Sequence, residues 1–164
     1  IGRLENYVKA NRWALKKLRK SQIAESAEVD GSAIKGPVVI SENAQIHGKL
    51  YGPAIFGRNS SIEAETIVRP NSVVSPDVRI GRGSKIVGSI IYEETQIGNF
   101  ARLDHCVIGE QCVIDSGVSV GHGAVIGPSC RIGEAARVLP GTKIWPELEV
   151  SVKSTVRGIL RSIG

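Results

Sequence analysis

Methionine is absent from the 164 residues, and the chain opens on Ile1-Gly2. A translated gene begins with methionine, so the expectation is a piece excised from a longer protein. Aromatic residues make up only 4%, which leaves a core of small and aliphatic side chains. Three cysteines, an odd number, do not make a disulfide framework. No secretory leader or membrane-spanning run is present, and reduced thiols then point to the cytoplasm. No glycine-rich loop joins a strand to a helix, so a cradle for nucleotide phosphates is lacking.

What is present is a rhythm. From Ile108 every sixth residue is aliphatic: Ile114, Val120, Ile126, Ile132, Val138, Ile144, Val150, Val156. Upstream it continues with slips through Ile34, Ile40, Ile46, then Leu50, Phe56, Ile62, Val68, Val74, Ile80, Ile86, then Ile91, Ile97 and Leu103. A period of six belongs to neither helix nor ordinary strand, but to a chain wound round a three-sided prism with one aliphatic plug per face. The slips repeat at offsets of sixteen and seventeen residues, as shortened corners of a coil of about eighteen would.

Two further columns agree. Two residues before each plug the side chain also points inward, where only small groups fit. From Ser32 to Ser154 that column holds Gly, Ala, Ser, Thr, Val or Cys everywhere except Leu148. Three residues after the plug, Asn43, Asn59, Asn71, Gly83, Gly117, Gly123 and Gly141 suit left-handed turns. All three cysteines (Cys106, Cys112, Cys130) fall in the small column, with Cys112 and Cys130 stacked on adjacent coils. Packing accounts for them better than zinc or a disulfide.

This pattern resembles the hexapeptide-repeat family of left-handed parallel β-helices over roughly residues 29–157. The resemblance, not the spacing, supplies the handedness. The fold class expected is all-β: a left-handed parallel β-helix of about seven coils, on the order of 35 Å long, after one N-terminal amphipathic α-helix. The domain reading is helix 1–22, β-helix 23–157 and tail 158–164.

The net charge of +5 is uneven. Residues 1–20 hold Arg3, Lys9, Arg12, Lys16, Lys17, Arg19 and Lys20 against Glu5, a balance of +6 that leaves −1 for the rest. A solvated basic face is preferred to a nucleic-acid site there. Leu4, Tyr7, Val8, Ala14, Leu15 and Leu18 share the other side of that helix, which should dock on the rod or on a neighbouring domain. Trp13 lies off that stripe.

Residues just before each plug point outward. Two faces are mostly polar: Ala33, Lys49, Ile67, Lys85, Arg102, Ser119 and Arg137 on one, and Gln45, Ser61, Arg79, Gln96, Val113, Arg131 and Glu149 on the other. The third reads Val39, Ile55, Val73, Ile90, Val107, Val125 and then Lys143. An apolar strip of that length calls for a cover. Self-association is the first expectation, as a homo-oligomer and by family resemblance a trimer; contact with a missing domain, or cover by the N-terminal helix, are the alternatives. Trp145, one past a plug, is a further interface residue, or else lies under the tail residues Ile159, Leu160 and Ile163.

Chemistry is sparse. His105 and His122 share a corner of the prism, and acyltransferases of this family use a corner histidine as general base. Those enzymes usually carry a long loop, and none interrupts the coils here. The family's zinc-binding carbonic anhydrases use three histidines, a spacing that His47, His105 and His122 do not reproduce. Glu63, Asp77, Glu93, Asp104 and Glu134 are scattered on turns without a convergent pair.

Two flanks narrow the resemblance. Ile1-Gly2-Arg3-Leu4-Glu5-Asn6-Tyr7 is similar to the end of the catalytic domain of sugar-1-phosphate nucleotidylyltransferases, with Leu4 in place of the usual proline. Pro140-Gly141-Thr142-Lys143-Ile144-Trp145-Pro146 is similar to the final coils of mannose-1-phosphate guanylyltransferase-like proteins. The resemblance implies a parent that makes sugar nucleotides with magnesium on an N-terminal catalytic domain. The present segment would then organise subunits, hold no cofactor or metal and no catalytic residue, and contact neither nucleic acid nor membrane. The alternative is an acyl-CoA-dependent hexapeptide acyltransferase using His105 or His122, alone or as the second activity of a bifunctional parent.

Overall fold

The structure, a computed structural model, describes residues 2–30 and 33–162, Gly2 and Arg3 by backbone alone. Ile1, Ser32 and Ile163 lie outside the described residues. Among the described residues, one helix, α1 (Gly2–Lys17), precedes twenty-five strands of two or three residues each. These stack into three parallel sheets of nine, eight and eight strands, each strand paired with the one three places on. The result is a left-handed parallel β-helix of about eight turns. The longest ladder starts at Gln22–Ile23 and ends at Ile159–Leu160, which pairs with Lys143–Ile144. The coils therefore run on into residues expected to form a tail.

The plugs form vertical files. Ile114 pairs with Ile132, and Ile132 with Val150. Every plug from Ile40 to Val150 is buried, and only Ile34 and Val156, at the two ends, are half-buried. In the small column, hydroxyls and thiols tie one coil to the next. Thr66 Oγ1 donates to the Gly81 carbonyl at 2.9 Å, Thr95 Oγ1 to Gly109 at 2.8 Å, and Cys112 Sγ to Gly127 at 3.2 Å. A Cβ on Gly48 would sit 2.4 Å from the Thr66 carbonyl oxygen, so that position admits no side chain without a backbone shift. Leu148, the one large member of the column, is half-buried near the C-terminal end.

All seven Asn and Gly residues expected in left-handed turns have positive φ. So do Glu65, Asp77, Glu94, Gln111, Ser129 and Ala135 at equivalent corners. Winding round the prism fixes that conformation, and the residue type follows it only in part.

Helix α1 lies on the apolar strip. Val8 and Leu15 pack with Val73, Ile90 and Val107, all five buried, and Ile55, Tyr92 and Val125 flank them. Asn11 Nδ2 donates to the Tyr92 hydroxyl at 3.2 Å, whose ionisation burial opposes. This corrects the expectation of an open interface: the cover over Val73, Ile90 and Val107 is the chain's own helix. Val39 is half-buried at the first coils, beside Gln22. Trp13 stays exposed, with Lys17 Nζ 3.9 Å from its ring centre.

Candidate functional site

The corner after Leu103 is one of the shortened ones, and it is where polar side chains converge. Leu103 pairs with Val120, so residue 105 on one coil lies against residue 122 on the next. The His105 amide donates to the Val87 carbonyl at 2.7 Å, and the Gly123 amide donates to the His105 carbonyl at 2.9 Å. Between those anchors His105 adopts φ +45°. Successive side chains of a strand point to opposite sides. The left-handed turn breaks that alternation, and Asp104 and His105 meet: Oδ1 and Nδ1 are 2.6 Å apart. The carboxylate selects the tautomer with the proton on Nδ1, which leaves Nε2 as an acceptor.

Two neighbours fix the imidazole further. Below it is Gly88, where a Cβ would lie 2.6 Å from Cδ2 and 2.7 Å from Nε2 of His105. Beside it is His122, with ring centres 4.9 Å apart and planes 34° apart. Asp104, His105 and His122 are all exposed, and one donor atom of each lies within 4.8 Å of the others. Sequence reasoning placed the two histidines at one corner but counted Asp104 among scattered carboxylates. The signal was its adjacency to His105; its use depends on the turn.

A cleft of about 290 Å³ opens between α1 and the strands Val107–Ile108 and Val125–Ile126. Its apolar walls include Leu4, Val8, Val107 and Val125; Glu5, Lys9 and Arg12 line it from the helix, and His105 from the corner. The basic residues of α1, read from the sequence as a solvated face, thus share a concavity with the histidine. His47 lies apart, lining a different concavity with Asp30 and Glu65, so the three histidines do not gather.

The thiols are free and buried. Burial pushes the Cys106 thiol up to about 12. The hydrogen bond with Cys130, reinforced by burial, holds Cys112 above the usual thiol range. The Val113 amide donates to the Cys130 carbonyl at 2.9 Å, so the two cysteines are stacked on adjacent coils. Trp145 is 46% exposed, and Ile159 is exposed too, so the described tail residues leave the indole largely open.

The family model for the EIF2B subunit epsilon LbH domain matches residues 49–138. An uncharacterized acetyltransferase, YaiX, of Escherichia coli O6:K15:H31 (strain 536 / UPEC) is 32% identical over 110 residues, covering 66% of this chain and 45% of its own length. The putative uncharacterized acetyltransferase YaiX of Escherichia coli (strain K12) is 31% identical over the same shares. The chain therefore spans less than half the length of these curated relatives. Among solved structures, LpxA of Bacteroides fragilis 9343, a UDP-N-acetylglucosamine acyltransferase, superposes with a TM-score of 0.53 at 15% identity, over 80% of this chain and 68% of that one. Identity that low speaks to the fold alone.

Proposed function

Because the chain belongs to the EIF2B subunit epsilon LbH domain family of hexapeptide-repeat β-helices, we propose that it is an acyl-transfer module, taking its acyl group from acyl-CoA. The observation that carries this reading is the Asp104–His105 pair, 2.6 Å apart, at a largely apolar cleft where Lys9 and Arg12 outnumber Glu5 on the helical side. An acyl-CoA has a matching shape: an apolar acyl-pantetheine arm and an anionic nucleotide. The two curated relatives described as acetyltransferases support the same reaction class.

In this mechanism His105 Nε2 takes the proton from an acceptor hydroxyl or amine as its oxygen or nitrogen attacks the thioester carbonyl. Collapse of the tetrahedral intermediate breaks the carbon–sulfur bond, and the imidazolium returns the proton to the departing thiolate. Asp104 keeps the imidazole in the required tautomer and stabilises its charged form, the role of the third member in triad logic. Lys9 and Arg12 would receive the donor's phosphates. Helix α1 here supplies the wall for which the family's acyltransferases usually carry a loop.

Acetyl-CoA titration tests the reading. Saturable binding, weakened in a Lys9→Ala/Arg12→Ala double variant, is expected. Slow acetyl-CoA hydrolysis should vanish in His105→Ala while binding persists. No saturable binding in the unaltered chain would remove the proposal.

A second reading, an assembly domain of a nucleotidyltransferase with its magnesium site elsewhere, is favoured by the flanking segments and by the description of the matched model as a domain of a larger subunit. Light scattering that finds a stable oligomer without acetyl-CoA binding would favour it.

A further inference from the structure

The geometry points to a divalent transition-metal site at the corner formed by Asp104, His105 and His122. Two coils contribute: Asp104 and His105 from one, His122 from the next, brought level by the Leu103–Val120 pairing. Two imidazoles and one carboxylate make a donor set suited to zinc, cobalt or ferrous iron, and poor for calcium or magnesium, which prefer oxygen throughout. Donor atoms bonded to zinc at about 2.1 Å stand roughly 3.4 Å apart in a tetrahedron. The three donors here already lie within 4.8 Å of one another. Closing that gap takes up to about 1.4 Å of movement by exposed side chains, and bonds to the ion replace the Asp104–His105 hydrogen bond.

The fold prepares the corner in two ways. The left-handed backbone of His105 (φ +45°) puts its ring on the same side as the Asp104 carboxylate. Gly88 then leaves the space in which that ring sits, and the same space bounds how far it can swing. Lys9 and Arg12 outnumber Glu5 in the neighbouring cleft and so disfavour a purely electrostatic cation. Binding must therefore come from imidazole coordination, which again selects a borderline-soft ion over a hard one.

The inference does not rest on acyl transfer, and its test uses no acyl donor. Calorimetric titration of the intact chain with zinc chloride should give one ion per chain. Affinity should fall by about tenfold or more in His122→Ala and in Asp104→Asn, with circular dichroism showing both variants folded. His47→Ala should bind as the unaltered chain does. Cobalt substitution should give ligand-field bands without a thiolate charge-transfer band. Absence of saturable zinc binding, unchanged affinity in His122→Ala, or a thiolate band marking the cysteines as ligands would each overturn the assignment.

Discussion

Replacing Leu15 by alanine should loosen α1 without unfolding the coils. The helix has 16 residues and seats Val8 and Leu15 in the apolar strip, and a helix that short is marginal alone in water. Its hold therefore rests on a few buried side chains, of which Leu15 is the most completely covered, at 2% exposure. Leu→Ala removes three carbons, worth about 2.4 kcal/mol at roughly 0.8 kcal/mol each. Solvent entering from the open side of the helix limits any further cavity cost. An opening equilibrium shifted by about 2.4 kcal/mol corresponds to roughly sixty-fold. Amide hydrogen exchange should show that acceleration across α1 while the strands keep their protection. The freed strip of Val73, Ile90 and Val107 should then drive concentration-dependent association visible by light scattering. Unchanged exchange in α1, or equal acceleration throughout the coils, would refute the idea that the helix is held chiefly by this strip.

Other substitutions probe the rod itself. Ser60 Oγ is buried without a hydrogen-bond partner among the described residues, so Ser60→Ala should stabilise the protein by about 1 kcal/mol, read from the denaturant midpoint. Ala135 holds φ +59°, and Ala135→Gly should raise stability by up to about 1 kcal/mol, measured the same way. The Cys106 thiol is held to about 12 while the unfolded chain's ionises near 8.5. The native state thus keeps a proton that the unfolded state loses. Stability should fall as pH rises through that window, by roughly 1.4 kcal/mol per unit from this thiol. Urea titrations near pH 8 and pH 10.5 should show a smaller drop in Cys106→Ala; equal drops would exclude the thiol as a source.

Plug, small and turn columns could be read before any coordinates because a solenoid is nearly one-dimensional: each coil meets only the coils above and below. An inward residue is therefore constrained by its place in the period, and Ile114, Ile132 and Val150 fall in file for that reason. The apolar strip and the apolar stripe of α1 were each visible too. Their mutual contact stood only as an alternative to self-association, since periodicity gives the direction of a surface and not the identity of what packs on it.

The corner site shows the sharper limit. Composition and spacing put His105 beside His122, yet gave no means of pairing Asp104 with its own neighbour, because adjacent residues in extended chain diverge. Only the folded backbone, with His105 forced to positive φ by a corner one residue short and its ring seated on Gly88, turns that divergence into a 2.6 Å contact. Local rhythm thus dictates the column, while side-chain chemistry at its edges waits on dihedral angles that the winding imposes from a coil away.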